Sequence, residues 1–113
     1  MRYLCLGYHQ TRTWDGISED DRRALLAESI AYDDFLRKNG HLIDGTAADG
    51  GETATTLLFE SSKVSVMDGC FADTGRQLGG VLVLEAYDLN HAILLMSQLP
   101  RMRLGGHVEI RLM

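Results

Sequence analysis

The sequence predicts an α+β protein whose subunit is ferredoxin-like, a split β-α-β fold, with an inserted hairpin. Strand-like and amphipathic helical segments follow one another in the order β-α-β, hairpin, β-α-β. Each of the two helical segments has one apolar stripe, so together they can cover only one face of the sheet. The other face carries apolar side chains that need a covering surface, which predicts that two copies pair sheet against sheet as a homodimer.

Strands are predicted where β-branched or aromatic residues cluster or alternate with small and polar ones. The predicted strands cover residues 2–8, 41–44, 53–60, 63–67, 80–87 and 107–112. The Ser61-Ser62 pair predicts the tight turn of the hairpin. Loops are predicted over residues 9–16, 45–52 and 101–106, and a long structured loop over residues 66–80. Because binding and catalytic residues often lie on such loops, the last one is the first place to look for a site.

The predicted helices span residues 19–38 and 89–99. Ser18 and Asp88 precede them as N-caps, while Asn39-Gly40 and Pro100 mark their ends. A period of 3.6 residues gives the inward stripes. These are Leu25, Tyr32, Phe35 and Leu36 in the first helix, and Leu89, Ala92, Ile93, Met96 and Leu99 in the second. Glu28 and Ser29 share the first stripe, and we interpret Glu28 as a rim residue whose carboxylate reaches water.

Composition restricts the classes of function. The 113 residues suit one domain over residues 1–113, and the formal net charge of −5 without a Lys/Arg cluster argues against a nucleic-acid partner. No apolar run approaches the roughly 20 residues of a membrane span, and the N-terminus lacks a signal-peptide pattern. We therefore expect a cytoplasmic protein without membrane contact. Two distant cysteines and four scattered histidines predict free thiols, no metal site and no cofactor.

The last predicted strand offers the first set of candidate ligand-binding residues. His107, Glu109 and Arg111 alternate with apolar residues and therefore share one face. A guanidinium such as that of Arg111 can hold a carboxylate ligand through two parallel hydrogen bonds. The alternative is that Glu109 and Arg111 form an ion pair with each other.

The long loop offers the second set. Asp68 follows a strand and is the candidate general acid or base, and Phe71 and Asp73 are candidate ligand contacts. The alternative for Asp68 is a turn in which its carboxylate bonds local N–H groups and Gly69 adopts a positive φ. Cys70 is the most reactive group of this loop, but without a neighbouring catalytic partner we do not expect it to be a nucleophile.

The same loop carries a family resemblance. The segment DGCFADT over residues 68–74 resembles the Asp-Gly-Pro-Phe-Ala-Glu-Thr signature (DGPF) of the YCII-related proteins. Residues 1–6, 78–81 and 108–112 are similar to that family's opening strand, Leu-Gly-Gly-Tyr element and closing Glu-Val-Arg-Pro. The resemblance implies a dimeric α+β barrel built from two ferredoxin-like subunits. It also implies distant relatives that act on small cyclic or aromatic compounds, as lactone isomerases or dehydrochlorinases, and members associated with extracytoplasmic-function sigma factors.

Two departures from the family pattern bear on function. Cys70 stands in place of the family's Pro, and Asp73 in place of its Glu. The better-known branch of the superfamily pairs a His on the first helix with an Asp, and the predicted stripe of this chain has no His there.

The hypotheses that follow are a homodimer that binds a small acidic or aromatic metabolite in its cleft, an acid–base lyase or isomerase using Asp68, and a sigma-factor-associated regulatory or purely structural partner.

Overall fold

Two antiparallel sheets hold the strands of this chain. The computed structural model describes residues 1–47, 53–71 and 74–113. The strands are β1 (Arg2–Gln10), β2 (Leu42–Ala47), β3 (Thr55–Glu60), β4 (Lys63–Asp68), β5 (Arg76–Glu85) and β6 (His107–Leu112). The helices are α1 (Thr11–Gly16), α2 (Glu19–Lys38), α3 (Leu89–Ser97) and a 3-10 helix (Pro100–Leu104).

The main sheet has the strand order β2-β5-β1-β6, and β3 and β4 form a separate two-stranded sheet. With the hairpin left aside, this is the strand order of a split β-α-β fold, in which the first and third strands lie at the centre. Every neighbouring pair in both sheets is antiparallel. The predicted α+β, ferredoxin-like subunit with an inserted hairpin is therefore confirmed, while its pairing into a dimer stays a prediction.

The core lies between the main sheet and the two longer helices. Tyr3 and Cys5 of β1 and Leu84 of β5 point into it, and Leu36 of α2 and Met96 of α3 pack against them. All five are at most 3% exposed, because successive side chains of a strand point to opposite faces and these lie on the helical side. Leu4 and Leu6 consequently lie on the other face of the sheet.

Helix α2 has the predicted bounds. The Ser18 hydroxyl accepts a hydrogen bond from the Asp21 amide at 3.1 Å, and Gly40 has a φ of 76° just beyond the helix. The hydroxyl of Tyr32 donates to the carbonyl of Leu95 at 2.5 Å, which joins α2 to α3. The cap, the glycine and this contact together fix the helix over the sheet.

Parts of the predicted stripes were wrong. Phe35, Leu89 and Ile93 were expected to point inward, and they are 51%, 51% and 47% exposed. Each residue of a helix is rotated by about 100° from the one before, so the fully buried Leu36 leaves Phe35 at the margin of the inward face. On α3 the inward residues include Leu95, which the predicted stripe omitted.

Several loop predictions were wrong because strand pairing extends further than local sequence suggests. His9 and Gln10 pair with Gln77 and Arg76, so β1 and β5 both run into segments predicted to be loops. The register shifts between Gly7 and Tyr8, where a bulge absorbs one extra residue. Helix α1 follows β1 directly, β2 continues to Ala47, and the segment after Pro100 forms the 3-10 helix. The rest of the predicted loop over 45–52, residues 48–52, lies outside the described residues.

Two leucines of α2, one buried and one exposed, provide a test of this packing. Leu36→Ala should lower the free energy of unfolding by about 2–5 kcal/mol, because it removes a side chain that is 0% exposed and leaves a cavity. Leu26→Ala on the same helix should change it by less than about 0.5 kcal/mol, because Leu26 is 57% exposed. Urea denaturation followed by circular dichroism measures both, and equal losses would contradict this orientation of α2.

Candidate functional site

A cavity of about 150 Å³ lies between α2, the helical side of the main sheet and the 3-10 helix. Its apolar wall comes from strands of the main sheet and from the residue before the 3-10 helix. That wall includes Cys5, Leu42, Leu82, Leu99 and Val108. Its polar side chains are Ser29, Asp33, Arg37, Thr46 and Arg101. A concave, largely apolar site with a few convergent polar groups is the usual form of a small-molecule pocket.

The floor of the cavity is formed where glycines of β1 and β5 meet. Gly7 pairs with Gly80, and Gly79 lies at the bulge next to them. A β-carbon on Gly79 would overlap the Arg101 guanidinium and lie 2.8 Å from Nδ1 of His9. Because Gly79 has no side chain, Arg101 and His9 can occupy the space above this point of the sheet.

Besides Arg37, which forms an ion pair with Asp34, the cavity is lined by a second arginine, Arg101. Arg101 is the second residue of the 3-10 helix, which begins at Pro100. The fixed φ of Pro100 helps to turn this segment back over the sheet. Burial lowers the pKa of Arg101, and the charge of Asp33 opposes that change. Within the described ranges, no hydrogen bond or ion pair engages its guanidinium. A guanidinium stays protonated in proteins, so the cavity holds a partly desolvated cation with free donors.

Asp33 supplies the negative charge. It lies on α2 four residues after Ser29, so both side chains are on the same face of the helix. Burial raises the pKa of Asp33, and the charges of Arg37 and Arg101 partly oppose this increase. A carboxylate in such an environment accepts a proton more readily than one in water.

His9 borders the same end of the cavity. Burial and the nearby charge of Arg101 lower the pKa of His9, while Asp15 acts in the opposite direction. Its imidazole is therefore neutral near pH 7. Its ring lies 6.0 Å from that of Trp14 on α1, and Arg22 of α2 stacks over Trp14 at 4.9 Å. Helix α1 thus contacts both β1 and α2 through Trp14.

Asp68 and Phe71, the candidate residues of the long loop that the structure describes, do not line the cavity. Asp68 is the last residue of β4, in the two-stranded sheet, and is exposed. Gly69 has a φ of 90°, the positive value that the turn alternative requires, and its amide donates to the carbonyl of Ala54, just before β3, at 2.8 Å. Phe71 is 69% exposed, and Asp73 lies outside the described residues. Their functional roles stay predictions.

The structure does bring together the three candidates of β6. His107, Glu109 and Arg111 lie on the face of the main sheet that is opposite the helices. Arg111 donates to Glu109 at 2.7 Å, so the ion pair considered for them is present. His107 stacks on Tyr8 with ring centroids 4.7 Å apart. This group is on a different sheet from Asp68, and its proposed contact with a ligand also stays a prediction.

Sequence reasoning missed Asp33, Arg101 and His9. Asp33 carried a signal, since it lies one helical turn after the inward Ser29. Arg101 and His9 lay in segments that had been predicted to be loops, where the facing direction of a side chain is not fixed by periodicity. Glu28, expected at the rim, forms an ion pair with Arg103 and keeps about half of its side chain exposed, at 52%.

Two further observations concern the described residues. Across residues 1–47, 53–71 and 74–113, no group of three or more His, Cys, Asp or Glu side chains is arranged to bind a metal ion. No described helix combines the length and apolar composition that a membrane crossing requires.

Comparisons with known proteins agree with this fold. The family model described as YCII-related domain matches the chain over residues 1–113. No curated protein matches it. Among solved structures, the chain is similar to 5-chloro-2-hydroxyhydroquinone dehydrochlorinase from Burkholderia phenoliruptrix AC1100 in complex with 2,5-dihydroxybenzoquinone. That similarity has a TM-score of 0.57 and 17% identity, and it covers 96% of this chain and 91% of that chain. At this identity the similarity concerns the fold.

The two cysteines provide a test of the cavity wall. Cys5 is buried, which raises the pKa of its thiol to about 11, while Cys70 is exposed. At pH 8 the Cys5 thiol stays protonated, and the thiolate is the nucleophile. Iodoacetamide should therefore label Cys70 in the native protein at least about 100-fold faster than Cys5. Mass spectrometry measures the two rates; both cysteines should react readily in guanidinium, and similar native rates would contradict the burial of Cys5.

Proposed function

The chain belongs to the YCII-related family, and on this premise we propose that it binds a small organic anion in the cavity between α2 and the main sheet. The observation that carries this proposal is Arg101, a partly desolvated guanidinium that no described side chain neutralises through an ion pair. Removing a charge from water costs free energy unless a partner compensates for it. A bound anion is such a partner.

The chemistry of the cavity defines the kind of anion. Arg101 can donate two parallel hydrogen bonds to a carboxylate or to two adjacent oxygen atoms. Leu82, Leu99 and Val108 offer apolar contact to the body of the ligand. The volume of about 150 Å³ is below the roughly 300–1,000 Å³ of common ligand sites, which favours a single ring or a short-chain acid.

The similar solved structure supports the same size class. That dehydrochlorinase is in complex with 2,5-dihydroxybenzoquinone, a single ring with acidic hydroxyl groups. We therefore take small cyclic or short-chain acids as the ligand class for this chain. This ligand class is narrower than the small acidic or aromatic metabolite expected from the sequence. The arginine proposed to bind the ligand is now Arg101 instead of Arg111.

A pair of arginine variants distinguishes the two sites. Thermal-shift and calorimetric titrations use 2,5-dihydroxybenzoquinone, benzoate and 2-oxobutanoate, with benzamide as the neutral control. We expect at least one anion to raise the melting temperature, because a ligand that binds only the native state stabilises it. Arg101→Gln should weaken that binding by about 10- to 100-fold through loss of charged hydrogen bonds.

The matched control is Arg111→Gln, which should bind like the unmodified protein because Arg111 lies on the opposite face of the sheet. The reverse result, in which Arg111→Gln loses binding and Arg101→Gln keeps it, would place the ligand on β6. If none of the anions binds, the proposed function is wrong.

We also propose that the protein is a homodimer that pairs through the uncovered face of the main sheet. Leu4, Leu6, Val81 and Val83 share this face, and no described helix lies over it. Arg111 and Glu109 border this apolar strip and give it charges of both signs, so two copies related by a two-fold axis can pair them.

The hairpin of β3 and β4 supports association as well. Leu57, Phe59, Val64 and Val66 share one of its faces and are between 62% and 73% exposed. A two-stranded sheet alone is marginally stable in water, and apolar patches of this kind commonly mark interfaces. The Cα radius of gyration of 15.8 Å exceeds the about 13 Å of a compact domain of this length. A second copy would cover these surfaces.

Light scattering after size-exclusion chromatography tests the dimer. We expect the mass of two chains at micromolar concentration, and the mass of one chain for Val83→Glu, because the new carboxylate would be buried in the interface. Ile30→Glu is the control: Ile30 is 59% exposed on α2, on the other side of the sheet, and the variant should remain dimeric. A single-chain mass for the unmodified protein would contradict the proposal.

A further inference from the structure

Asp33 and Arg101 face the same cavity without closing on each other. Each charge shifts the pKa of the other group, so the two lie within electrostatic reach. Yet the ion pairs of the described residues, all within 4.0 Å, do not include this one. Both residues line the cavity. A ligand there would meet an anion-binding donor on one side and a proton acceptor on the other.

We propose that this pair makes the cavity an acid–base site for small 2-oxo acids, in which Asp33 takes a proton from the carbon next to the keto group and Arg101 holds the enolate that forms. The proposal rests on the proposed anion binding at Arg101. It names both the substrate class and the catalytic residue of that site.

The chemistry of a 2-oxo acid fits the two side chains. Its carboxylate and keto oxygens lie side by side, so one guanidinium can donate a hydrogen bond to each. When the C3–H bond breaks, the proton moves to the Asp33 carboxylate. The C–H electron pair forms the C2=C3 bond, and the C2=O π electrons move to the keto oxygen. Arg101 then faces the developing negative charge, which is the arrangement that lowers the barrier to enolisation.

The step is balanced without an oxidant, a reductant or another reactant. Protonated Asp33 returns a proton to C3 and restores the 2-oxo acid. If Asp33 exchanges its proton with solvent before the return, the C3 hydrogen is replaced by one from solvent. This exchange is the minimal reaction of the site, and it makes the proton transfer observable with a simple probe.

Other groups of the described chain are less suited to accept this proton. Glu28 and Glu109 are each paired with an arginine, and Asp68 is exposed on the separate hairpin sheet. Cys5 lines the cavity, but burial raises the pKa of its thiol to about 11 and keeps it protonated. Burial raises the pKa of Asp33 as well, and in a carboxylate this strengthens the base.

Solvent exchange into 2-oxobutanoate tests the proposal. The full-length protein is incubated with 2-oxobutanoate in D₂O, and proton NMR follows the loss of the C3 methylene signal against a protein-free sample. We expect the protein to accelerate the exchange. Asp33→Asn should bind 2-oxobutanoate with an affinity within a few-fold of the unmodified protein and reduce the exchange rate by about 100-fold or more.

The controls separate this proposal from the proposed function. Arg101→Gln should lose both binding and exchange, and Asp20→Asn, at an exposed position in the first turn of α2, should change neither. Asp33→Ser serves as the second variant, should Asp33→Asn fail to fold. Binding without exchange in the unmodified protein, or full exchange after loss of the Asp33 carboxylate, would overturn the acid–base role while anion binding at Arg101 stands. Binding of the other anions but not of 2-oxobutanoate would overturn the 2-oxo acid class.

Discussion

The antiparallel pairing of β1 with β5 forms the central part of the sheet against which the cavity lies. The two strands pair from Arg2 with Glu85 to Gln10 with Arg76, and they are the central strands of the main sheet. Their register brings Gly7 opposite Gly80, with Gly79 at the adjoining bulge. Because glycines have no side chains, this part of the sheet leaves room between strand and helix. A hydrophobic core and a polar cavity can therefore lie side by side in one layer.

The two regions of this layer differ in what fills them. Under α3 and the C-terminal end of α2, large apolar side chains such as Leu36, Leu84 and Met96 pack closely and are at most 2% exposed. Toward the glycines, the same layer holds Arg101 and Asp33, two charged groups in a partly buried position. Burying such groups without direct pairing costs stability. A functional site is a common reason for proteins to retain this cost.

The two faces of the main sheet carry different groups. The helical face contains the cavity, and the opposite face contains Leu4, Val83 and the ion pair of Glu109 with Arg111. Alternation along β1 and β6 separates them, because neighbouring residues of a strand point to opposite sides. A dimer formed through the open face would leave the cavity of each subunit accessible from its own helical side. Association and ligand binding thus do not compete for the same residues.

The sequence by itself determined the order of the strands and of the two longer helices, the bounds of α2 and the alternation of β6. These follow from local rules: Ser18 caps a helix, Gly40 ends one, and residues two apart share a strand face. It also carried the signature loop by which the chain resembles its family. Local rules failed where pairing with a distant strand overrides turn-like composition, as at Gln10 and Arg76.

Only the tertiary structure decided where the site lies. Arg101 and His9 are far apart in sequence and lie in segments without periodicity, and they meet over Gly79 because β1, β5 and the 3-10 helix converge there. Phe35, which looked like core, lies at the surface because the contact of Leu36 with the sheet sets the rotation of α2. The sequence determined which charges the chain has. Long-range packing determined which of them are removed from water and face each other.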